Sequence, residues 1–413
     1  MNIRFLEKHD FDNLMLLIRQ GFPNRTSEEE KIREEEILSI LSGQRTGKFI
    51  GVCDEHDSIL SALQIYDFDI CFRGEIFKFG GVGRVVTGFI NKKRGFARRL
   101  IDYAISYFKQ NDYLFCGLYP FNINYYRKMG FGYGSENYVF SIQPHTFISG
   151  NITGLRYLKN DDISELDSFY DRYSKTCHGM LRNPILDVMR FYSYDGVIVH
   201  DKYNEIDGYL CYNIEKSWFD GVFSRDLVVT EYIVTTNDAQ SSFSSFFFAQ
   251  QDQFNRIRLH VQDQWLFFLS DDCDSGENKA YDNGIQEYAH YCGGILYYII
   301  DEKKYIQHIL NLNLEIKTDF LLCLELFDNR DESILTKISI LLSEKGSKLV
   351  DAVTQHDCSL RMSKADFASW SFGVVTLNEL INTLRALLDS PNYENELQNI
   401  FGYKDKPKCV TYY

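Results

Sequence analysis

Six prolines in 413 residues leave no room for long Pro-rich linkers. Ten cysteines run from Cys53 to Cys409 without a single C-x-x-C, a density and spacing that read as reduced intracellular thiols. Two H-x-C pairs occur, His290/Cys292 and His356/Cys358, but two ligands without a second pair do not close a tetrahedral shell, so no metal is expected. No apolar run approaches ~18 residues, which excludes a membrane-spanning helix from the reading. The opening MNIRFLEKHD lacks the charged-then-apolar order of a signal peptide, and a cytoplasmic location is expected. Cations are in deficit. The net charge of −14 withholds the broad basic surface that nucleic acid requires, and an acidic surface instead concentrates amines.

What is present is ordinary for a globular protein: 45% hydrophobic and 25% charged residues, with aromatics at 15% lining cores and pockets. The length suggests several domains, at roughly 100–200 residues each. FDNLMLLIRQ (11–20) reads as a helix with one apolar face, and SEEEKIREEEILSILSG as an acidic helix closing at Gly43 with a solvated charged face. ILSALQIYDFDICF alternates as a strand, Arg73-Gly74 reads as a hairpin turn, and EIFKF returns. GGVGRVVTGFI is another strand. After it, Ala97, Leu100, Ile101, Ala104, Ile105 and Phe108 fall at helical spacing. YLFCGLYPF is a buried strand, and ENYVFSIQP the last strand of this segment. PHTFISGN (144–151) marks a boundary. The following stretch repeats the mixture, with GVIVHD, EIDGYLCYNI, RDLVVTEYIV and GGILYYIID as strands and FSSFFFAQQDQF as a helix. From about 302 an α+β segment begins, with a helix opening at Ser363 and a second one expected over TLNELINTLRALL. The expected domains are 1–148, 149–301 and 302–413.

One stretch carries chemistry. In KKRGFA (92–97) basic residues and a glycine open a helix directly after a strand. The first turn of a helix exposes unpaired N–H groups at its positive dipole end, so this layout suits a phosphate. Lys92, Lys93 and Arg94 add charge, and Gly95 admits close backbone approach, with Phe96 and Ala97 beginning the helix. Downstream lies YYRKMGFGYG. Together the two motifs resemble the GNAT acetyltransferase superfamily, in which a Q/R-x-x-G-x-G/A turn binds the coenzyme A pyrophosphate and a later tyrosine protonates the leaving thiolate. Lys92 stands where Gln or Arg is usual. The spacing Tyr-x-x-x-Gly-Phe selects Tyr126 over Tyr125 as that acid.

Taken with GGVGRVVT, LYPF, GGILYYIID and the alternating C-terminal segment, the sequence resembles the enhanced-intracellular-survival (Eis) family of GNAT N-acetyltransferases. The resemblance implies an α/β (α+β) fold of tandem GNAT-like domains, each a mixed twisted sheet flanked by helices, with a sterol-carrier-protein-like domain after them. It implies acetyl-CoA as cosubstrate, bound by the 92–97 turn, by Val85 and Thr87 of the preceding strand, and by Phe121. The second domain lacks a coenzyme A motif. The α-carboxylate of Tyr413 becomes the general base and Tyr126 the general acid. Phe22 and Asn24 shape the acceptor loop. The acceptor is a primary amine of a cationic small molecule of the aminoglycoside, polyamine or lysine type, with no nucleic-acid or membrane partner, and the assembly is a homo-oligomer, a hexamer by resemblance. Two rival readings stand beside it: a lipid- or small-ligand-binding protein using the C-terminal domain, and an acyltransferase using longer acyl-CoA.

Overall fold

The computed structural model describes residues 1–23, 26–203, 205–219, 222–273, 280–281, 285–312, 315–351 and 355–413. The chain divides into two compact units. The first comprises 1–134, 295–407 and 412–413; the second comprises 135–294 and 408–411.

In the first unit a mixed sheet is built from β1 (Asn2–Phe5), β2 (Lys48–Cys53), β3 (Ile59–Phe72), β4 (Glu75–Thr87), β5 (Phe115–Leu118) and β6 (Gly132–Tyr133). Strand Leu296–Ile299 inserts antiparallel between β5 and β6. The Arg73-Gly74 turn is realised with both residues at positive φ, +53° and +84°, which suits the tight hairpin of β3 and β4. Helices α1 (Phe11–Gly21) and α2 (Ser27–Leu41) cover one face, and α3 (Phe96–Gln110) the other; α4 (Ile123–Arg127) is a short turn after β5. The two faces follow strand alternation. Leu63 and Ile65 pack with Leu100, Ile101, Ala104 and Phe108 of α3, while Ala62 packs with Leu14, Leu17 and Ile18 of α1.

β4 breaks that alternation once. Ala62 pairs with Val86 and Gln64 with Gly83, so Leu63 alone faces two residues, Arg84 and Val85. This is a β-bulge, and Arg84 sits at φ +47° within it. Val82 therefore lies in the α3 core and Val86 in the α1 core, although four residues apart they would share a face in a regular strand. β4 pairs in parallel with β5 only from Phe79–Phe115 to Gly81–Gly117. Past that rung the two strands separate, and a wedge opens.

Beyond this sheet the first unit holds a second one, in the order Lys348–Val350, Ile334–Leu342, Phe320–Phe327, Cys358–Ser363, Ala386–Leu388. Ser363 caps the helix Lys364–Ser371 as expected, accepting from the Asp366 N–H. The expected long helix over 376–388 differs. It stops at Asn382, Leu384 takes φ +59° and stands exposed, and Ala386–Leu388 turns into an edge strand. Arg385 is thereby brought onto Asp366, which also receives Arg127 at 2.5 Å.

The second unit contains a seven-stranded sheet in the order Ala289–Gly293, Glu136–Ile142, Arg256–Val261, Val222–Val234, Glu205–Phe219, Gly196–Lys202, Leu155–Tyr157. Its single parallel step joins Val222–Val234 to Arg256–Val261, across the helix Asn237–Ala249. The strand order thus repeats that of the first sheet. The two strands that the linear reading assigned by proximity are exchanged: Glu136–Ile142 belongs to this sheet, and Leu296–Ile299 to the first. Residues 408–411 are held here by side chains. Gln262 exchanges two hydrogen bonds with the Cys409 backbone, Lys408 pairs with Asp263 at 2.7 Å, and the Tyr170 and Thr411 hydroxyls lie 2.7 Å apart.

Candidate functional site

The wedge beside β4 opens into two cavities in the first unit. The larger, about 770 Å³, is walled by the end of β4, the 89–97 segment, Phe121, Asn122, Tyr125 and Tyr126. The smaller, about 380 Å³, is walled by Ile18, Arg33, Val82, Gly83, Arg84, Leu118, Tyr119 and Tyr413. Phe22, Val85, Phe121 and Tyr126 line both.

The N-terminus of α3 forms one end of the larger cavity. Gly95 is its cap residue at φ +78°, with no side-chain cap hydrogen bond and no acidic residue in the first turn. Lys93 also sits in the left-handed region, at φ +61°. A Cβ on Gly95 would meet nothing within 4 Å, so the approach to these amides is open. Lys92, Lys93, Phe96 and Ala97 line the cavity with it. Arg94 is absent from that wall. Its guanidinium donates to Asn91 Oδ1 at 2.9 Å and lies 5.0 Å from the Phe96 ring centre. Val85 and Thr87 line the same cavity, and the Thr87 hydroxyl is 2.8 Å from that of Ser61. An uncapped, acid-free helix start with two lysines at hand fits a phosphorylated cosubstrate, and a cavity of this size fits the arm leading from it.

Tyr126 is 2% exposed, and burial pushes its phenol above the ordinary tyrosine range, with Tyr125 as a lesser contributor. Tyr125 lines the larger cavity alone. Phe121 meets the Tyr126 ring edge-on at 5.8 Å and is otherwise 79% exposed. Phe22 is partly exposed at the end of α1, and Asn24 lies outside the described residues.

Tyr413 fills the floor of the wedge. Its hydroxyl donates to the Gly117 carbonyl at 2.9 Å, and its ring packs against Tyr66, Phe68 and Tyr119 with centroids 5.1, 4.8 and 5.6 Å away. The glycines of GGVG make the room. A Cβ at Gly81 would stand 2.9 Å from Tyr413 Cε2 and 2.8 Å from Phe68. One at Gly83 would stand 2.9 Å from Tyr66 Cε2 and 3.6 Å from the Tyr413 main-chain oxygen.

Sequence reasoning missed Gly81 and Gly83, whose signal is the unusual density of glycine inside a strand. It also missed Arg33 and Arg84. The acidic helix α2 is not simply a solvated face: Arg33 is buried in it, and Glu30 and Glu36 are ion-paired. Metal-type residues converge elsewhere. Among the described residues the three-ligand group is His9, Asp10 and Asp57, where the Arg4 guanidinium already binds both carboxylates. Among the described residues the two H-x-C pairs contribute to no such group.

Residues 2–134 match the acetyltransferase (GNAT) domain family, and residues 188–281 match a second acetyltransferase (GNAT) domain family. The chain carries two GNAT domains and is an acetyltransferase of that class, whose domains use acetyl-CoA as cosubstrate. Among curated proteins none matches the sequence. Solved structures share the fold along the whole chain. A conserved protein of unknown function from Enterococcus faecalis, a probable N-acyltransferase, is 14% identical, with a TM-score of 0.78 over 100% of this chain and 99% of its own. A GCN5-related N-acetyltransferase from Anabaena variabilis is 15% identical, with a TM-score of 0.78 over 100% of both chains. Eis1 from Mycobacterium abscessus is 14% identical, with a TM-score of 0.74 over 100% of both chains. The expected architecture of mixed sheets flanked by helices is the one present. No helix among the described residues is long and apolar enough to cross a membrane.

Proposed function

We propose that the chain transfers the acetyl group of acetyl-CoA to a primary amine in the first GNAT domain, with Tyr126 as general acid and the α-carboxylate of Tyr413 as general base. The observation carrying this reading is that Tyr126 and Tyr413 line one cavity while Tyr126 also lines the second. The larger cavity takes the cosubstrate, its pyrophosphate on the amides of Phe96 and Ala97 with Lys92 and Lys93 beside it. The pantetheine arm runs along Val85 and Thr87, under Phe121. The smaller cavity takes the amine, with Phe22 at the shared wall. Arg94 contributes charge from outside the wall.

The amine arrives as an ammonium and cannot attack until it loses a proton. The Tyr413 carboxylate accepts that proton, directly or through water. The amine nitrogen then bonds to the thioester carbonyl carbon, the carbon–sulfur bond breaks, the Tyr126 hydroxyl supplies the proton that leaves coenzyme A as a free thiol, and the second nitrogen proton, lost as the amide forms, returns through water to the Tyr126 phenolate. A phenol held protonated by burial is suited to that last step.

The same reading makes the chain Eis-like in organisation: GNAT domains at 1–148 and 149–301, the second without a coenzyme A motif, then a sterol-carrier-like domain at 302–413, assembled as a cytoplasmic hexamer. The sheet of residues 320–388, distinct from the two GNAT-type sheets, supports the third domain. The test is release of free thiol from acetyl-CoA over a broad panel of primary amines, with products read by mass. Acetylated amine and stoichiometric thiol are expected; no thiol with any amine overturns the proposal.

A further inference from the structure

Tyr126 sits on α4, a helix of five residues, far shorter than one that holds itself together in water. Asn122 caps its start, accepting from the Tyr125 N–H at 3.0 Å, and the Met129 and Phe131 amides donate to the Tyr126 carbonyl at 2.9 and 3.2 Å. These bonds are all local. Three of the residues that follow Tyr126 also meet a distant partner in the same unit, the helix Lys364–Ser371. Arg127 is the first. It is 8% exposed, its guanidinium lies 4.2 Å from the centre of the Tyr133 ring, and it donates to Asp366 Oδ1 at 2.5 Å across 239 residues of sequence. Asp366 is itself buried. Arg385 donates to its two oxygens at 2.9 and 3.0 Å, and the Ser363 hydroxyl donates to Oδ2 at 2.6 Å.

Gly130 is the second. It takes φ +97°, and a Cβ there would stand 3.0 Å from the Tyr298 ring and 3.4 Å from Lys364 Cδ. Lys364 Nζ rests 4.1 Å from the centre of that ring and pairs with Glu302. Phe131 joins the two rings, its centroid 5.0 Å from that of Tyr298 and 6.1 Å from that of Tyr126. Gly132 is the third. A Cβ there would stand 2.4 Å from the Ala365 carbonyl oxygen and 2.6 Å from the Ser369 nitrogen, so β6 runs directly on the backbone of the helix. Packing this close leaves the segment after Tyr126 no room to slide.

A buried ion pair is weak evidence for stability, because desolvating the charges offsets their attraction. What it does supply is direction: a planar guanidinium on a fixed carboxylate has few orientations open to it. Resting on the reading of Tyr126 as general acid, we propose that Asp366 is a positioning residue for that acid, fixing α4 through Arg127 so that the Tyr126 hydroxyl keeps one place at the wall common to both cavities. Asp366 is not among the residues that line either cavity, so it acts through the turn and touches no reactant. Residues beyond 302 then serve the acid as well as the base: Tyr413 supplies the base, and Asp366 aims the acid.

The experiment is a double-mutant cycle on the full chain between Asp366→Asn and Tyr126→Phe. It reads the single-turnover rate of thiol release with the best amine of the panel, and KM for acetyl-CoA. Asparagine keeps the shape and can still accept a hydrogen bond, but it carries no charge. Alone, Asp366→Asn is expected to slow release ~10-fold or more, the scale of a misplaced catalytic group, with KM for acetyl-CoA within ~2-fold. In the Tyr126→Phe background the same change is expected to alter the rate by less than ~2-fold, because no hydroxyl is left to misplace. A merely structural weakening slows both backgrounds alike. Should Asp366→Asn fold poorly, Arg127→Lys, which keeps the charge and loses the fork, is read in the same cycle with the same expectation. Equal losses in the two backgrounds, an unchanged rate, or a loss confined to KM overturns the proposal and leaves Tyr126 as the acid. A Tyr126→Phe protein as fast as the wild type, or no thiol release with any amine, overturns the reading beneath it as well.

Discussion

The Tyr413 hydroxyl donates to the Gly117 carbonyl at 2.9 Å, on the last rung where β4 and β5 pair. One bond therefore anchors the end of the sequence at the apex of the wedge. The ring is wedged by Phe68 on one side, and its main-chain oxygen rests over Gly83. A residue so fixed can hold a catalytic group in a single geometry, which is where the rate advantage of positioning arises.

Gly81→Ala tests that packing. The new methyl would stand 2.9 Å from Tyr413 Cε2 and 2.8 Å from Phe68, closer than carbon atoms tolerate. Both rings must shift. Turnover is expected to fall ~10–100-fold through misplacement of the chain end, while KM for acetyl-CoA changes little. Steady-state kinetics with acetyl-CoA varied separate the two effects.

Much of this site is legible in the sequence. KKRGFA announces itself because a glycine in the left-handed region and an uncapped helix start are local properties, written in six adjacent residues. Tyr126 is legible through its spacing to Gly130. The exchange of Glu136–Ile142 and Leu296–Ile299 between sheets is not, because a strand's residues set its alternation and not its partner. Arg33 was hidden inside EEEKIREEE, where one buried side chain among glutamates leaves no trace in composition. Arg84 was hidden by the bulge, which reverses the face that alternation assigns.

Tyr126→Phe removes the proposed proton donor and keeps the ring that packs against Phe121 and Phe131. Loss of ~100-fold in kcat is expected, with acetyl-CoA binding retained. Single-turnover measurements of thiol release check it. Retained turnover assigns the proton to Tyr125 or water.

The pH profile follows from the same phenol. Burial raises its pKa, so Tyr126 stays protonated throughout the neutral range and the acid side of the reaction does not fail there. Activity is expected to rise with pH as the amine deprotonates, with no falling limb below about pH 10, the ordinary tyrosine value. A kcat/KM profile from pH 6 to 9.5 measures this.

Stability is expected to turn the other way at high pH. Burial pushes Tyr66 up to about 12. Above the ordinary tyrosine value of about 10 the unfolded chain releases that proton and the folded chain keeps it, so stability falls as pH rises through this window. Melting temperatures at pH 9 and pH 11 should show the fall, and Tyr66→Phe should reduce it.

Gly95→Ala addresses the other end of the site. The space is open, so its cost comes from φ +78° alone, about 1 kcal/mol or more for a residue with a Cβ. KM for acetyl-CoA is expected to rise with kcat less affected, and Lys92→Ala with Lys93→Ala should lessen the salt dependence of that KM. Isothermal titration with coenzyme A at two ionic strengths reads both.

The most direct measurement is turnover of the chain with a single glycine appended after Tyr413. The extension moves the carboxylate away and leaves Tyr126, both cavities and the α3 amides in place. The account predicts a fall in kcat of ~100-fold or more, with coenzyme A affinity preserved by titration. Undiminished kcat would contradict it.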